Sequence, residues 1–331
     1  MFPCSRQPCH GVFAMVFLNA LESMLSITLL SLVGYMLAWK GWISREVEIF
    51  IPRFITQVVI PPYLMSSVLL HFNHDSFLSL IVESVVPMIS LIISFLLFLA
   101  LGRLLGMDKK HLNLAAVGAA TSNTIFIGIP VNNALFGEQA ITHLLLYFLG
   151  NTLFFWTVGN FAIAREGTKA DHRLTRRELL QRIFSAPLLG TLTGIALLLL
   201  NVPVPRFVTE TCSMLGGLGT PLALIFVGVI LRRIDWKTAH MGKDIILTLT
   251  GRIILAPLIM IALIRILPMQ LPTLAEQVYI IQAGLPSMTQ IALLSAFYGA
   301  DKEFGSVFVC LSSIVGMISV PIWMTIISTW L

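Results

Sequence analysis

The stretch Ala120-Thr121-Ser122-Asn123-Thr124-Ile125-Phe126-Ile127-Gly128-Ile129-Pro130-Val131-Asn132-Asn133 places three asparagines, a hydroxyl cluster and two helix breakers inside an apolar run. In hydrocarbon every backbone N–H and C=O must find an internal partner. An interrupted helix at that depth survives only where it is buried in protein or lines a watered cavity. A second stretch, Ala283-Gly284-Leu285-Pro286-Ser287-Met288-Thr289-Gln290, is broken and polar in the same way. Paired interruptions in corresponding positions of two chain halves point to a secondary-transport site near the bilayer midplane. Each break exposes a half-helix N-terminus with free N–H groups and about half a positive charge. Two such ends crossing form an anion pocket without a basic side chain.

Composition agrees with a bilayer as the main solvent. The chain has 331 residues, 57% hydrophobic and 11% charged, with a mean hydropathy of +0.90. Soluble domains carry roughly 25% charged residues, so a water-solvated surface cannot be assembled here. Apolar runs predict spans at 15–39, 46–70, 77–102, 111–137, 139–164, 183–202, 209–231, 244–267, 275–299 and 303–330. The fold class is therefore an all-α membrane protein of about ten transmembrane helices, with broken, crossing helices 4 and 9. Residues 1–14 form an N-terminal extension, and the first apolar run reads as a retained helix with no A-x-A-like cleavage site after it.

Loop charge tests that count. If loops alternate between two sides, one side holds only Arg6, Arg206 and Arg265. The other holds seventeen Lys and Arg, from Lys40 through Lys302, with Arg252 left inside a helix. The positive-inside rule assigns the rich side to the cytoplasm and both termini to the opposite side of an inner membrane. An internal repeat is also visible. At an offset of 162, Leu101, Arg103, Leu105 and Met107 meet Leu263, Arg265, Leu267 and Met269. At an offset of 160, Gly34 meets Gly194 and Pro61 meets Pro221. Five spans make an odd number of crossings, so the copies at 15–164 and 183–331 must be inverted, joined by a basic cytoplasmic linker at 165–182.

Ser122 to Pro130 resembles the fourth-helix motif of the auxin efflux carrier family, which includes plant PIN-FORMED carriers and bacterial malonate-type permeases. There the stretch reads Pro-Asn-Thr, three apolar residues, then Gly-Ile-Pro. Gly284-Leu285-Pro286 resembles the ninth-helix crossover, and the likeness extends over about 16–330. The resemblance implies a scaffold of helices 1, 2, 6 and 7, and a mobile domain of helices 3–5 and 8–10 that moves as an elevator. It implies that Asn123 contacts a substrate carboxylate and that Pro286 is the crossover proline. Ser122 stands where the plant carriers have proline, so the break would rest on Gly128 and Pro130, with Ser122 capping the second half-helix. The long cytoplasmic loop of the plant carriers is missing, which favours a bacterial-type permease.

The candidate substrate site comprises Ser122, Asn123, Thr124, Gly128, Pro130, Gly284, Pro286, Ser287, Gln290 and Arg252. Arg252 lies roughly 12 Å into the eighth span at about 1.5 Å per residue, and a charge there costs at least about 2.5 kcal/mol. It either supplements the anion site or pairs and snorkels within the bundle. Glu22 and Glu83 read as snorkelling residues near the outer face, and His143 begins the fifth span there. Asn151, Gln57 and Gln282 suit either a pocket or interhelical hydrogen bonds. Enzyme motifs such as GxSxG, HExxH or a P-loop do not occur. Cys4, Cys9, Cys212 and Cys310 form no metal-ligand spacing, so neither cofactor nor metal is expected. The net charge of +5 sits in loops, which argues against nucleic acid as a partner. The expected partners are a small organic anion and membrane lipid, with a coupling proton or sodium ion and a homodimer left open. The alternative function is a non-transporting membrane receptor of the same fold.

Overall fold

A computed structural model describes residues 28–72, 74, 77, 82–124, 127–167, 186–233, 242–267 and 271–330. The extension 1–14, Cys4, Cys9, Glu22 and most of the 165–182 linker lie outside the described residues. Among the described residues the chain is all-helical, apart from one isolated bridge. Five helices are long and apolar enough to cross a membrane: α2 (Arg45–His71), α3 (Val85–Leu104), α6 (Ile141–Glu166), α8 (Arg206–Arg233) and α9 (Lys243–Ile266). The last helix, α12 (Lys302–Trp330), bends by 49° between Gly316 and Ile318 and makes a sixth if counted as one span. Pro321 explains the bend, because its ring clashes with the carbonyl four residues earlier. Two shorter apolar helices are α1 (Thr28–Trp39) and α7 (Ala186–Leu199). The remaining pieces come in pairs: α4 (Leu112–Ala120) with α5 (Gly128–Phe136), and α10 (Thr273–Gly284) with α11 (Gln290–Tyr298).

Small residues set how closely the helices pack. Without a hydrophobic drive between helices in lipid, backbones associate where glycine lets them approach. Gly190 and Gly194, four apart on α7, face the backbone of α2 at Pro61 and Met65. A Cβ at Gly34 of α1 would overlap the carbonyl of Ile225 on α8, and one at Gly228 of α8 would overlap Ser31 of α1. Two of these contacts are mates: Gly34 meets Ile225 as Gly194 meets Met65, each residue displaced by the offset of 160 seen in the sequence.

The loops that the charge count puts on one side also meet in space. Buried Glu48 of α2 accepts from Arg233 of α8 at 2.6 Å and from Lys302 of α12. The backbone N–H of Asp108, between α3 and α4, donates to Asp244 of α9, and Lys243 donates to the carbonyl of Leu105. At the far ends of the helices, His143 of α6 pairs with Glu83 at 3.0 Å, ahead of α3.

His111, at the start of α4, ties three helices together on the basic side. Its Nδ1 meets Asp244 of α9 at 2.8 Å and its Nε2 meets Asp301, just before α12, at 3.1 Å. The ring stacks on Phe304. Both ring nitrogens face acceptors, and only the imidazolium supplies two donors. Burial pushes the imidazole down, but the hydrogen bonds to Asp301 and Asp244 outweigh it, so the pKa is raised. The His111 hydrogen bond in turn holds Asp301 below the usual carboxylate range.

Two predictions follow from this packing. Gly228→Ala forces α1 and α8 apart and is expected to cost about 1–3 kcal/mol. Gly217→Ala, with nothing within 4 Å of the added methyl, is the control. Equal thermal midpoints for the two variants in detergent would contradict the close approach. Because the folded pKa of His111 is raised, its stabilisation is complete below the ordinary histidine value and is lost as pH climbs through the raised one. The contribution of Asp301 runs the other way and is lost only as pH falls through its depressed value. The thermal midpoint should therefore drop as pH rises above the ordinary histidine value of about 6.5, and His111→Gln should flatten that drop. An unchanged pH profile in the variant would refute the clamp.

Candidate functional site: the crossing of two broken helices

Helix α4 stops at Ala120 and the backbone turns extended at Thr121 (φ −95°, ψ 144°). Helix α10 stops at Gly284 and turns extended at Leu285 (φ −65°, ψ 157°). The two extended pieces lie antiparallel, bridged at Ser122 and Ser287, with the N–H of Asn123 donating to the carbonyl of Pro286 at 2.8 Å. Pro286 lacks an N–H, so only its acceptor enters this pairing. Asn151 of α6 acts as the neighbour on the other edge. Its Oδ1 accepts from the N–H of Ser122 at 3.2 Å, and its Nδ2 donates to the Ser122 carbonyl at 2.9 Å. Ser287 donates its hydroxyl to the carbonyl of Gly118 at 3.1 Å, and its N–H is received by Ser312 of α12 at 3.2 Å.

Arg252 closes the floor of this crossing. It is fully buried, at 0% exposure, in a π-turn of α9 at Gly251–Leu255. Such turns often mark functional positions. Its Nε donates to Leu285 at 2.9 Å, and its Nη1 to Ala119 and Ala120 at 3.0 and 2.7 Å. Its Nη2 donates to Ala283. All four acceptors are backbone carbonyls at the C-terminal ends of α4 and α10. Those ends carry partial negative charge and orphan acceptors, and the guanidinium answers both. Pro257 follows just after the π-turn. That residue has no N–H for the carbonyl of Ile253 four residues back, and Trp323 of α12 donates to it instead, at 2.7 Å.

A cavity of about 30 Å³ opens above the crossing. It is lined by Asn123, Thr124, Met288 and Gln290 from the breaks, by Phe148, Thr152 and Trp156 of α6, and by Ile60, Tyr63 and Leu64 of α2. The hydroxyl of Thr152 is buried without a hydrogen-bond partner among the described residues. A water needs roughly 10–15 Å³ of such space, so this conformation has room for a couple of waters rather than a whole dicarboxylate.

The structure distributes the sequence candidates over three layers. Asn123, Thr124 and Gln290 line the cavity. Ser122, Ser287 and Pro286 form the backbone bridge beneath it, with Gly284 against the Trp323 ring. Arg252 lies lower still, on the helix C-termini, and is not part of the cavity wall. Gly128 starts α5 with its N–H on the carbonyl of Asn123 at 3.3 Å, and it packs on the amide of Gln282. Pro130 sits in the first turn of α5, where its missing N–H is tolerated. One expectation needs correction: Ser122 does not cap the second half-helix. Its hydroxyl points at Tyr147, 3.4 Å away, because the break begins at Thr121, several residues before α5. Sequence reasoning missed Thr152, Trp156 and Tyr63, since aromatic and hydroxyl residues on a membrane helix give no signal of which face they occupy.

The profile of a family described as membrane transport protein matches residues 19–324. Two curated relatives are similar over nearly their whole length. An uncharacterized transporter of Methanothermobacter thermautotrophicus is 26% identical over 313 residues, 95% of this chain and 100% of that protein. An uncharacterized transporter of Methanocaldococcus jannaschii is 18% identical over 307 residues, 92% and 97% of the two chains.

The pairing of Asn151 with both backbone groups of Ser122 makes a stability prediction. Asn151→Leu keeps the volume but strands the buried N–H of Ser122, at about 1–3 kcal/mol, and leaves the Ser122 carbonyl with only the N–H of Thr124. A thermal midpoint within a degree of the parent protein would show that Ser122 does not depend on Asn151.

Proposed function

We propose that this chain, which belongs to the membrane transport protein family of auxin efflux carriers, carries a small organic anion such as a carboxylate or dicarboxylate across the inner membrane. As a multi-pass member of a transporter family it has a transported substrate. The anion is the finer reading, and one observation carries it. The two breaks touch at Ser122 and Ser287, and Arg252 neutralises their C-terminal ends, which leaves the positive ends of the second half-helices to act beside Asn123. Asn123 is the main side-chain donor to the anion in this reading, with Thr124 and Gln290 beside it.

The architecture we propose has ten spans: α1, α2, α3, α4 with α5, α6, α7, α8, α9, α10 with α11, and α12. Residues 15–164 and 183–331 are inverted five-helix copies, and 165–182 is the cytoplasmic linker. The mated contacts Gly34–Ile225 and Gly194–Met65 support the duplication. The gathering of Glu48, Asp108, Arg233, Lys243 and Lys302 on one face supports a cytoplasmic side opposite both termini. An elevator motion divides the scaffold α1, α2, α7 and α8 from the other helices. The cavity lies on that division, since Ile60, Tyr63 and Leu64 belong to α2 and the rest of its wall does not. Sliding of the mobile part against α2 would open the cavity to a solute larger than water. Exposed Leu96, Leu104, Ile246 and Ile318 face lipid, and a second copy of the chain stays open as a partner.

Purified protein in proteoliposomes should take up labelled malonate or a related carboxylate. A hydrogen bond to a charged group is worth about 1.5–3 kcal/mol, so Asn123→Ala should weaken binding roughly 10- to 150-fold. Unaltered affinity and flux in that variant would remove Asn123 from the site.

A further inference from the structure

Arg252 carries a buried charge with no carboxylate opposite it among the described residues; its partners are four carbonyls from two helix ends. Unwound carbonyls and half-helix C-termini at a midplane crossing are where secondary transporters bind their coupling cation. Each C-terminus contributes about half a negative charge, so the two together attract about one positive charge. The guanidinium supplies that charge from within the chain. Its backbone is anchored by the π-turn and by Trp323 on the carbonyl of Ile253. Gly251 lets α9 sit close enough to reach, since a Cβ there would stand 3.0 Å from that of Ala119 and would strike the Phe98 ring.

We propose that Arg252 is a tethered cation standing where a coupling metal ion would otherwise bind, so that the crossing is charged and assembled without sodium. This rests on the reading of the crossing as an anion site, and it specifies how that site stays positive. With the C-terminal charge cancelled by Arg252, the positive N-terminal ends of α5 and α11 act on the anion unopposed. A metal ion would have to arrive and leave with each cycle. The arginine cannot leave, so the driving force has to come from elsewhere.

The test needs no known substrate. The thermal midpoint of the purified protein is measured at constant chloride and ionic strength in sodium, potassium and choline salts. The expected result for the parent protein is the same midpoint in all three. Arg252→Ala bares the four carbonyls, and its lowered midpoint should rise by several degrees, saturably, with millimolar methylguanidinium or with sodium, but not with urea or choline. Arg252→Lys, which keeps the charge with fewer donors, should lie between and respond to neither addition. A saturable, sodium-specific rise in the parent protein overturns the proposal even if the alanine variant does not fold. A folded alanine variant indifferent to both sodium and methylguanidinium overturns it as well. Failure of the anion reading shows separately, as no midpoint shift of the parent protein with malonate or other carboxylates.

Discussion

Backbone groups cannot be left unpaired in hydrocarbon, and the centre of this protein is arranged around that constraint. Two helices stop in mid-course, which strands carbonyls on one side of each gap and N–H groups on the other. Each gap supplies part of what its counterpart lacks, through the antiparallel contact of Ser122 with Ser287 and the Asn123 to Pro286 hydrogen bond. Side chains from α6, α9 and α12 supply further partners. Asn151 and Ser312 copy the pairing a third and fourth strand would give, and Arg252 collects the carbonyls of both helix ends.

The constraint propagates outward through proline and glycine. Pro257 releases the carbonyl of Ile253, Trp323 takes it, and the π-turn beside it aims Arg252 inward. Pro286 packs where Gly316 leaves room for its ring, next to the bend that Pro321 puts into α12. In the outer helices Gly34, Gly190, Gly194 and Gly228 let backbones touch directly. One group of helices is thus joined by close glycine contacts and another by polar bonds around the crossing. The small cavity sits on the line between them. In the proposed cycle that line is where relative motion occurs, and its walls are mostly apolar and aromatic.

Much of this was legible in the sequence because glycine, proline and buried asparagine have few other reasons to cluster in an apolar run. The expected spans 46–70, 139–164 and 244–267 match α2, α6 and α9 to within about two residues at each end. The stretches 120–133 and 283–290 were identifiable as interrupted. Their mutual contact was not, since pairing between segments far apart in sequence depends on the packing of all the others. For the same reason Arg252 could be placed at depth but not given its acceptors, which are main-chain atoms and leave no compositional trace. Asn151 fitted two roles equally well until its partner was known. Ser122 was misjudged because the breakers Gly128 and Pro130 lie downstream of the point where the helix actually ends.

The account turns on a negative solute held between the two breaks. An experimental structure determined with a saturating transported carboxylate tests that most directly. It should show a carboxylate within hydrogen-bond distance of the Asn123 amide, against the N-terminal ends of α5 and α11, with Arg252 still on its four carbonyls. Density for the solute elsewhere, or α4–α5 and α10–α11 running as continuous helices that do not meet, would contradict it.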